Sequence, residues 1–150
     1  MKRICFILIF IFLFANNLFA QQQLTVDKEI KFLLSNPNRI ENIPRILKLM
    51  CQDGIWDVNK DGLINCIDYS VVFRILYGSN ARIIINKNPV NGMNHMFIRV
   101  WYNVDTEYID VEPQGTPDRY SMGLIWGVKY NYIHNRDVTN QWTHVVEGMY

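Results

Sequence analysis

The 150-residue chain carries 15 basic and 14 acidic residues, which gives a formal net charge of +1, and 49% of its residues are hydrophobic. A near-neutral surface argues against a nucleic-acid-binding protein, because such proteins present clustered positive charge. The length suits one domain with one hydrophobic core and is too short for two.

The first 20 residues have the pattern of an export signal. Two basic residues precede an apolar run over residues 4–15, and the small residue Ala20 offers a cleavage point. The run is shorter than the roughly 20 residues that cross a bilayer. We therefore expect residues 1–20 to be removed, leaving one domain of residues 21–150. That product has a formal charge of −1, because the leader holds two basic residues and no acid. It is expected to be secreted or periplasmic, with no membrane attachment.

Three helices are predicted in the first half of the chain. Residues 25–38 form the first, with Asp27 as its cap, and residues 42–54 form the second. The third begins near Asn65 and ends at Gly78, because a glycine at this position is a common helix terminator.

Runs of β-branched and aromatic residues predict strands in the second half of the chain. Three of them are "ARIIIN", "HMFIRVWYN" and "TEYIDVE", and the tail segments "LIWGVKYNYIHN" and "WTHVVEG" predict more. Helices followed by an antiparallel meander are typical of an α+β fold. We expect the third helix, which carries Cys66, to pack on the antiparallel sheet.

The segment "DVNKDGLINCID" has the oxygen spacing of an EF-hand calcium loop. That loop uses positions one, three, five, seven, nine and twelve, with Gly at six. The corresponding residues are Asp57, Asn59, Asp61, Leu63 through its carbonyl, Asn65 and Asp68, with Gly62 at the sixth position. Asp at the twelfth position, instead of Glu, makes the loop similar to a dockerin repeat, although dockerins have two such repeats and this chain has one. The alternative is a turn that its Asp and Asn side chains stabilise without metal.

A second interpretation starts from Cys66, which is predicted to lie in the first turn of the third helix. Further along, "NHMFIRV" opens a strand with His95, and "YIDVEP" follows. In order and spacing, residues 62–113 resemble the transglutaminase-like branch of the papain-like cysteine enzymes. In that family a helix carries the Cys, one strand opens with "HAW" and the next ends in "VDP". This chain has "HMF" and "VEP" instead, which puts Glu112 where the family has Asp.

The resemblance implies a papain-like core and acyl transfer through a thioester. The substrate would be a peptide or protein, attacked at a peptide or glutamine amide by hydrolysis or by transfer. Cys66 is then the nucleophile, and His95 takes up and returns its proton. Glu112 orients the imidazole, and Asp110, two residues earlier on the same strand face, is the reserve candidate.

The start of a helix suits a reactive thiol. The positive end of the helix dipole lowers the pKa of a cysteine placed there. The backbone N–H of Cys66 is also a candidate donor to the oxyanion, with Gln52 or Trp56 as candidates for a second donor. A calcium ion in the preceding loop would have a structural role and hold the turn that presents the thiol.

Two alternatives stay open from the sequence. Cys51 and Cys66 form a disulfide under the first, which an oxidising compartment favours. Under the second, the protein is a non-catalytic, calcium-dependent, dockerin-like module that binds a cohesin-like partner. The module accounts for the loop but leaves "NHMFIRV" and "YIDVEP" without a role, so the enzyme interpretation explains more of the chain.

Overall fold

The computed structural model describes residue 20 and residues 23–53, 55–87, 94–103, 107–114 and 135–144. Two compact units are distinguished, Met1–Phe32 and Leu33–Tyr150. The predicted leader lies outside the described residues apart from Ala20. Within the described ranges, every helix is too short or too polar to cross a membrane.

Three helices lie within the described residues 23–53 and 55–87. Residues 23–35 form α1. Helix α2 spans Ile43–Asp53 and follows a 3-10 turn at Ile40–Asn42, and α3 spans Cys66–Tyr77. All three correspond to predicted helices.

The predicted cap of the first helix is wrong. Asp27 lies inside α1, where its carboxylate accepts a hydrogen bond of 3.2 Å from the side chain of Gln23. The helix therefore extends further toward the N-terminus than a cap at Asp27 allows.

The end of α3 is fixed by the loop that follows α1. Gly78 has a φ of 113°, and a Cβ there would lie 2.8 Å from both Asn38 Oδ1 and Pro37 Cβ. That same Asn38 Oδ1 accepts a hydrogen bond of 2.8 Å from the backbone N–H of Asn80. Glycine is therefore required both by the left-handed conformation and by the close approach of the neighbouring loop.

In the described part of the second half, four strands form an antiparallel sheet in the order β3-β2-β1-β4. Its strands are β1 at Ala81–Lys87, β2 at Asn94–Asn103, β3 at Glu107–Val111 and β4 at Arg136–Asp137. The first three are the predicted strands, and the α+β class is confirmed. Helix α3 packs on β1 and β2, where Phe73, Ile83 and Ile98 are fully buried.

The tail differs from the prediction where it is described. Thr139–Gln141 form a 3-10 turn, and residues 143–144 are helical, so "WTHVVEG" does not begin as a strand. Thr139 instead accepts a hydrogen bond of 2.8 Å from the backbone N–H of Ile83 through its hydroxyl oxygen. Almost all of "LIWGVKYNYIHN" lies outside the described residues.

Candidate active site

Cys66 is the first residue of α3, and a capping box fixes its position. The Asn65 side chain accepts from the backbone N–H groups of Ile67 and Asp68, while the Asp68 carboxylate accepts from the Asn65 N–H. Reciprocal capping of this kind satisfies N–H groups that the first helical turn leaves unpaired. The cap does not use the N–H of Cys66, so that group stays available beside the thiol.

Asp68 also ties the preceding loop to the helix. Its side chain is fully buried. Oδ1 accepts from the Val58 N–H at 2.9 Å, and Oδ2 accepts from the Asn65 N–H at 2.9 Å. One carboxylate therefore holds both ends of the loop against the first turn of α3.

The sheet register brings His95 and Glu112 to the same place. His95 lies near the start of β2, and β3 pairs with β2 only from Ile98, which lies opposite Val111. Glu112 follows Val111, so it is diagonal to His95 across the two strands, a separation that long side chains bridge. The first residues of β2 thus have an edge that β3 does not cover.

The thiol occupies this uncovered edge. The backbone N–H of Met96 donates a hydrogen bond to the Cys66 sulfur, and the sulfur also shares a hydrogen bond with the His95 imidazole. Nε2 of His95 contacts Oε2 of Glu112, which leaves Nδ1 as the imidazole nitrogen for the thiol. The Oε1 atom of Glu112 accepts from the Gln114 N–H at 3.1 Å and so fixes the carboxylate. The structure thus brings together the three side chains that the motifs predicted.

These contacts change the protonation of the pair. Burial acts to raise the pKa of the Cys66 thiol, but the hydrogen bonds from His95 and Met96 outweigh it and the pKa is lowered. The hydrogen bonds to Cys66 and Glu112 raise the pKa of His95 to about 10. Both directions favour a thiolate beside an imidazolium, which is the reactive form of a cysteine nucleophile.

Asp110, the reserve candidate, does not contact the imidazole. It is the register partner of Arg99, and their side chains form two hydrogen bonds of 2.7 and 2.9 Å. The carboxylate of Asp110 is 1% exposed. Its partner Arg99 also stacks on Tyr108, with the guanidinium carbon 3.9 Å from the ring centroid. Asp110 therefore belongs to a structural ion pair.

The loop before α3 is closed by its own hydrogen bonds. The Asp57 carboxylate accepts from the N–H groups of Asp61 at 3.2 Å and Gly62 at 2.8 Å. Asp61 accepts from the Asn59 side chain and the Leu63 N–H. Among the described residues, no group of three or more His, Cys, Asp or Glu side chains is arranged to hold a metal ion. Calcium binding by the loop stays a prediction.

The remaining predictions concern the disulfide and the second oxyanion donor. Cys51 and Cys66 are both free, so the structure has no disulfide between them. Trp56 is 41% exposed, and the side chain of Gln52 is outside the described part of the chain. Neither is shown as a second donor to an oxyanion.

Two features of the site were missed. The Met96 N–H is a backbone group, so no residue type marks it, although its position next to His95 was a usable signal. Asn86 is the register partner of His95 and is 2% exposed. Within the described ranges its side-chain amide has no hydrogen-bond partner. Only the pairing of β1 with β2 reveals that this polar residue adjoins the imidazole.

No family model, no curated protein and no solved structure matches the chain.

Proposed function

We propose that the protein is an exported thiol enzyme of the transglutaminase-like type, with a papain-like core. It acts on peptide or glutamine amide bonds through a thioester, and it passes the acyl group to water or to an amine. Cys66 is the nucleophile, His95 the acid and base, and Glu112 the residue that positions the imidazole.

The supporting observation is the continuous hydrogen-bonded series from thiol to imidazole to carboxylate. Cys66 shares a hydrogen bond with His95, whose Nε2 contacts Glu112. A cysteine placed in the core for packing alone has no need of an imidazole held by a carboxylate. The lowered pKa of Cys66 and the raised pKa of His95 both favour the thiolate–imidazolium pair that a cysteine nucleophile uses.

The geometry supports a first step in which the Cys66 thiolate attacks the carbonyl carbon of the amide. A carbon–sulfur bond forms, and the carbonyl electron pair moves to oxygen. The N–H of Cys66, which the cap leaves unused, is a donor for that oxyanion at the positive end of α3. The carbon–nitrogen bond then breaks, and the amine leaves with the proton that His95 carried.

A second step releases the acyl group. Water or an amine attacks the thioester, His95 accepts the proton from that nucleophile, and the carbon–sulfur bond breaks to regenerate the thiolate. Glu112 stabilises the imidazolium whenever His95 carries the proton, and it keeps the imidazole oriented toward the sulfur. Because both steps use the same imidazole, hydrolysis and transfer differ only in which nucleophile enters.

An assay with two readouts tests the proposal. The protein is incubated with glutamine-containing peptides and a fluorescent primary amine; mass spectrometry follows amine incorporation, deamidation and peptide cleavage. We expect at least one of these products from the wild-type protein and from Cys51→Ser, and none above background from Cys66→Ser. Equal product from wild type and Cys66→Ser would refute a role for the thiol.

A further inference from the structure

The loop before α3 exposes three large apolar side chains. Trp56, Leu63 and Ile64 are 41%, 65% and 47% exposed. They are three of the seven large hydrophobic residues that are exposed in the described part of the chain. Contiguous apolar surface, unlike scattered single residues, marks a surface that contacts something else, and Leu63 and Ile64 are adjacent in the chain.

Hydrogen bonds bring these three residues to the start of α3. Asp68 binds the N–H groups of Val58 and Asn65 with its two carboxylate oxygens, each at 2.9 Å. Since the two oxygens belong to one carboxylate, the segment after Trp56 and the segment after Ile64 lie side by side. The bonds from Asp61 and Gly62 to Asp57 close the turn between them.

The distance to the nucleophile is limited by the chain itself. Ile64 is two residues before Cys66 and Leu63 is three residues before it. At roughly 3.6 Å per residue, their Cα atoms lie within about 7 and about 11 Å of the Cα of Cys66. An acyl group bound at the thiol therefore places the next one or two substrate residues within reach of Leu63 and Ile64.

We propose that Trp56, Leu63 and Ile64 form an apolar rim that binds an apolar substrate side chain one or two residues from the acyl group. This rests on the proposed function, since the rim serves a substrate attacked by Cys66. The capping box and the loop hydrogen bonds hold the rim in place before the substrate arrives. Binding therefore costs little ordering of the protein, and the apolar contact area contributes to affinity.

Two peptidyl chloromethyl ketone probes, which alkylate the Cys66 thiolate with loss of chloride, test the rim. They differ only in carrying Leu or Ser at the two positions before the ketone. Each second-order rate constant is divided by that of iodoacetamide, which removes changes in the thiol itself. We expect the wild-type protein to prefer the Leu probe roughly tenfold, as partial burial of a leucine implies. Leu63→Ser and Ile64→Ser should each reduce that preference at least threefold.

The matched control is Leu34→Ser. Leu34 is 37% exposed and lies four residues before Asn38, whose N–H donates to the Tyr77 carbonyl at the end of α3 opposite Cys66. Its variant therefore makes the same chemical change outside the rim and should keep the wild-type preference. A preference near one in the wild type, or one that neither rim variant reduces, would overturn the rim while leaving an activated Cys66 intact. No reaction of Cys66 with any of the three reagents would overturn the proposed function and the rim together.

Binding of the probe on the rim can also be tested by a structural measurement that does not depend on reaction rates. After the Leu probe is attached to Cys66, oxidative footprinting should show protection of Trp56 and Leu63 relative to the protein attached to the Ser probe. Equal oxidation in the two adducts would contradict binding on the rim.

Discussion

Arg99 and Asp110 face each other across β2 and β3 and form two hydrogen bonds of 2.7 and 2.9 Å. The Asp110 carboxylate is bound to Arg99, and the acid that contacts His95 is Glu112, two residues later. Two carboxylates on one strand face thus have different roles, and substitutions should separate them.

Glu112→Gln should lower activity without a large loss of stability. The glutamine keeps the size of the side chain but removes the charge that stabilises the imidazolium, so kcat/KM should fall by roughly tenfold or more. Steady-state kinetics measure the fall, and urea denaturation measures stability.

Asp110→Asn should have the opposite profile. It leaves the Arg99 guanidinium without its buried counter-charge, and we expect the free energy of unfolding to fall by about 3 kcal/mol. Activity per folded molecule should change less than in Glu112→Gln. A larger loss of activity in Asp110→Asn, with Glu112→Gln active, would reassign the orienting carboxylate to Asp110.

The pH dependence of kcat/KM should be bell-shaped. Activity requires the thiolate, so it is lost as the pH falls through the lowered pKa of Cys66. The steps that use the imidazolium are lost as the pH rises through the pKa of His95, which is about 10. Both limbs belong to the coupled pair. Glu112 raises the pKa of His95, so Glu112→Gln should move the alkaline limb to lower pH. An unmoved limb would contradict this.

Most of the helix and strand positions were predictable from the sequence, because Gly78, the Asn65 cap and the β-branched runs determine structure locally. The sequence also predicted that Cys66, His95 and Glu112 come together, since each lies in a short motif. It left Asp110 open, because the choice between two acids on one strand face depends on the register with Arg99. That register is set by the pairing of β2 with β3, which composition does not encode.

Asp68 is a second residue whose role the sequence pattern alone does not decide. Its spacing predicts a calcium ligand, but its carboxylate is buried and caps the helix. One residue at position twelve of the loop is also the third residue of α3, so the pattern alone does not separate the two roles. Residues 143–144 are helical, although a strand was predicted there. The prediction relied on the aromatic and β-branched residues of the tail and had no turn formers to bound the segment.

The capping box should contribute measurably to stability. Asn65→Ala should lower the free energy of unfolding by about 1 kcal/mol. Asp68→Ala should cost more, about 3 kcal/mol, because two N–H groups lose a buried acceptor. Glu41→Ala is the control, since the carboxylate is exposed and its 3.7 Å contact with Arg39 is of the kind that contributes little. Urea denaturation in EDTA provides the values, and equal stability of Asp68→Ala and Glu41→Ala would contradict the capping role.

Calcium should bind the loop weakly, with a Kd of about 10⁻⁴ to 10⁻³ M. At a free concentration of about ten times the Kd, binding stabilises the folded state by about 1.4 kcal/mol. Thermal denaturation in EDTA and in millimolar calcium should therefore differ by a few degrees in Tm, and Asp61→Ala should remove the difference. An identical Tm for the wild type in both solutions would leave only the hydrogen-bonded turn that needs no metal.

The activated thiol is the central claim, and alkylation of the reduced, folded protein by iodoacetamide at about pH 6 tests it most directly. An ordinary thiol with a pKa of about 8.5 is almost wholly protonated there. Cys66 should therefore react much faster than Cys51, which serves as the internal reference, and His95→Ala should slow Cys66 toward the rate of an ordinary thiol. Slow, equal alkylation of both cysteines, unchanged by His95→Ala, would show that Cys66 is not activated and would contradict the enzyme.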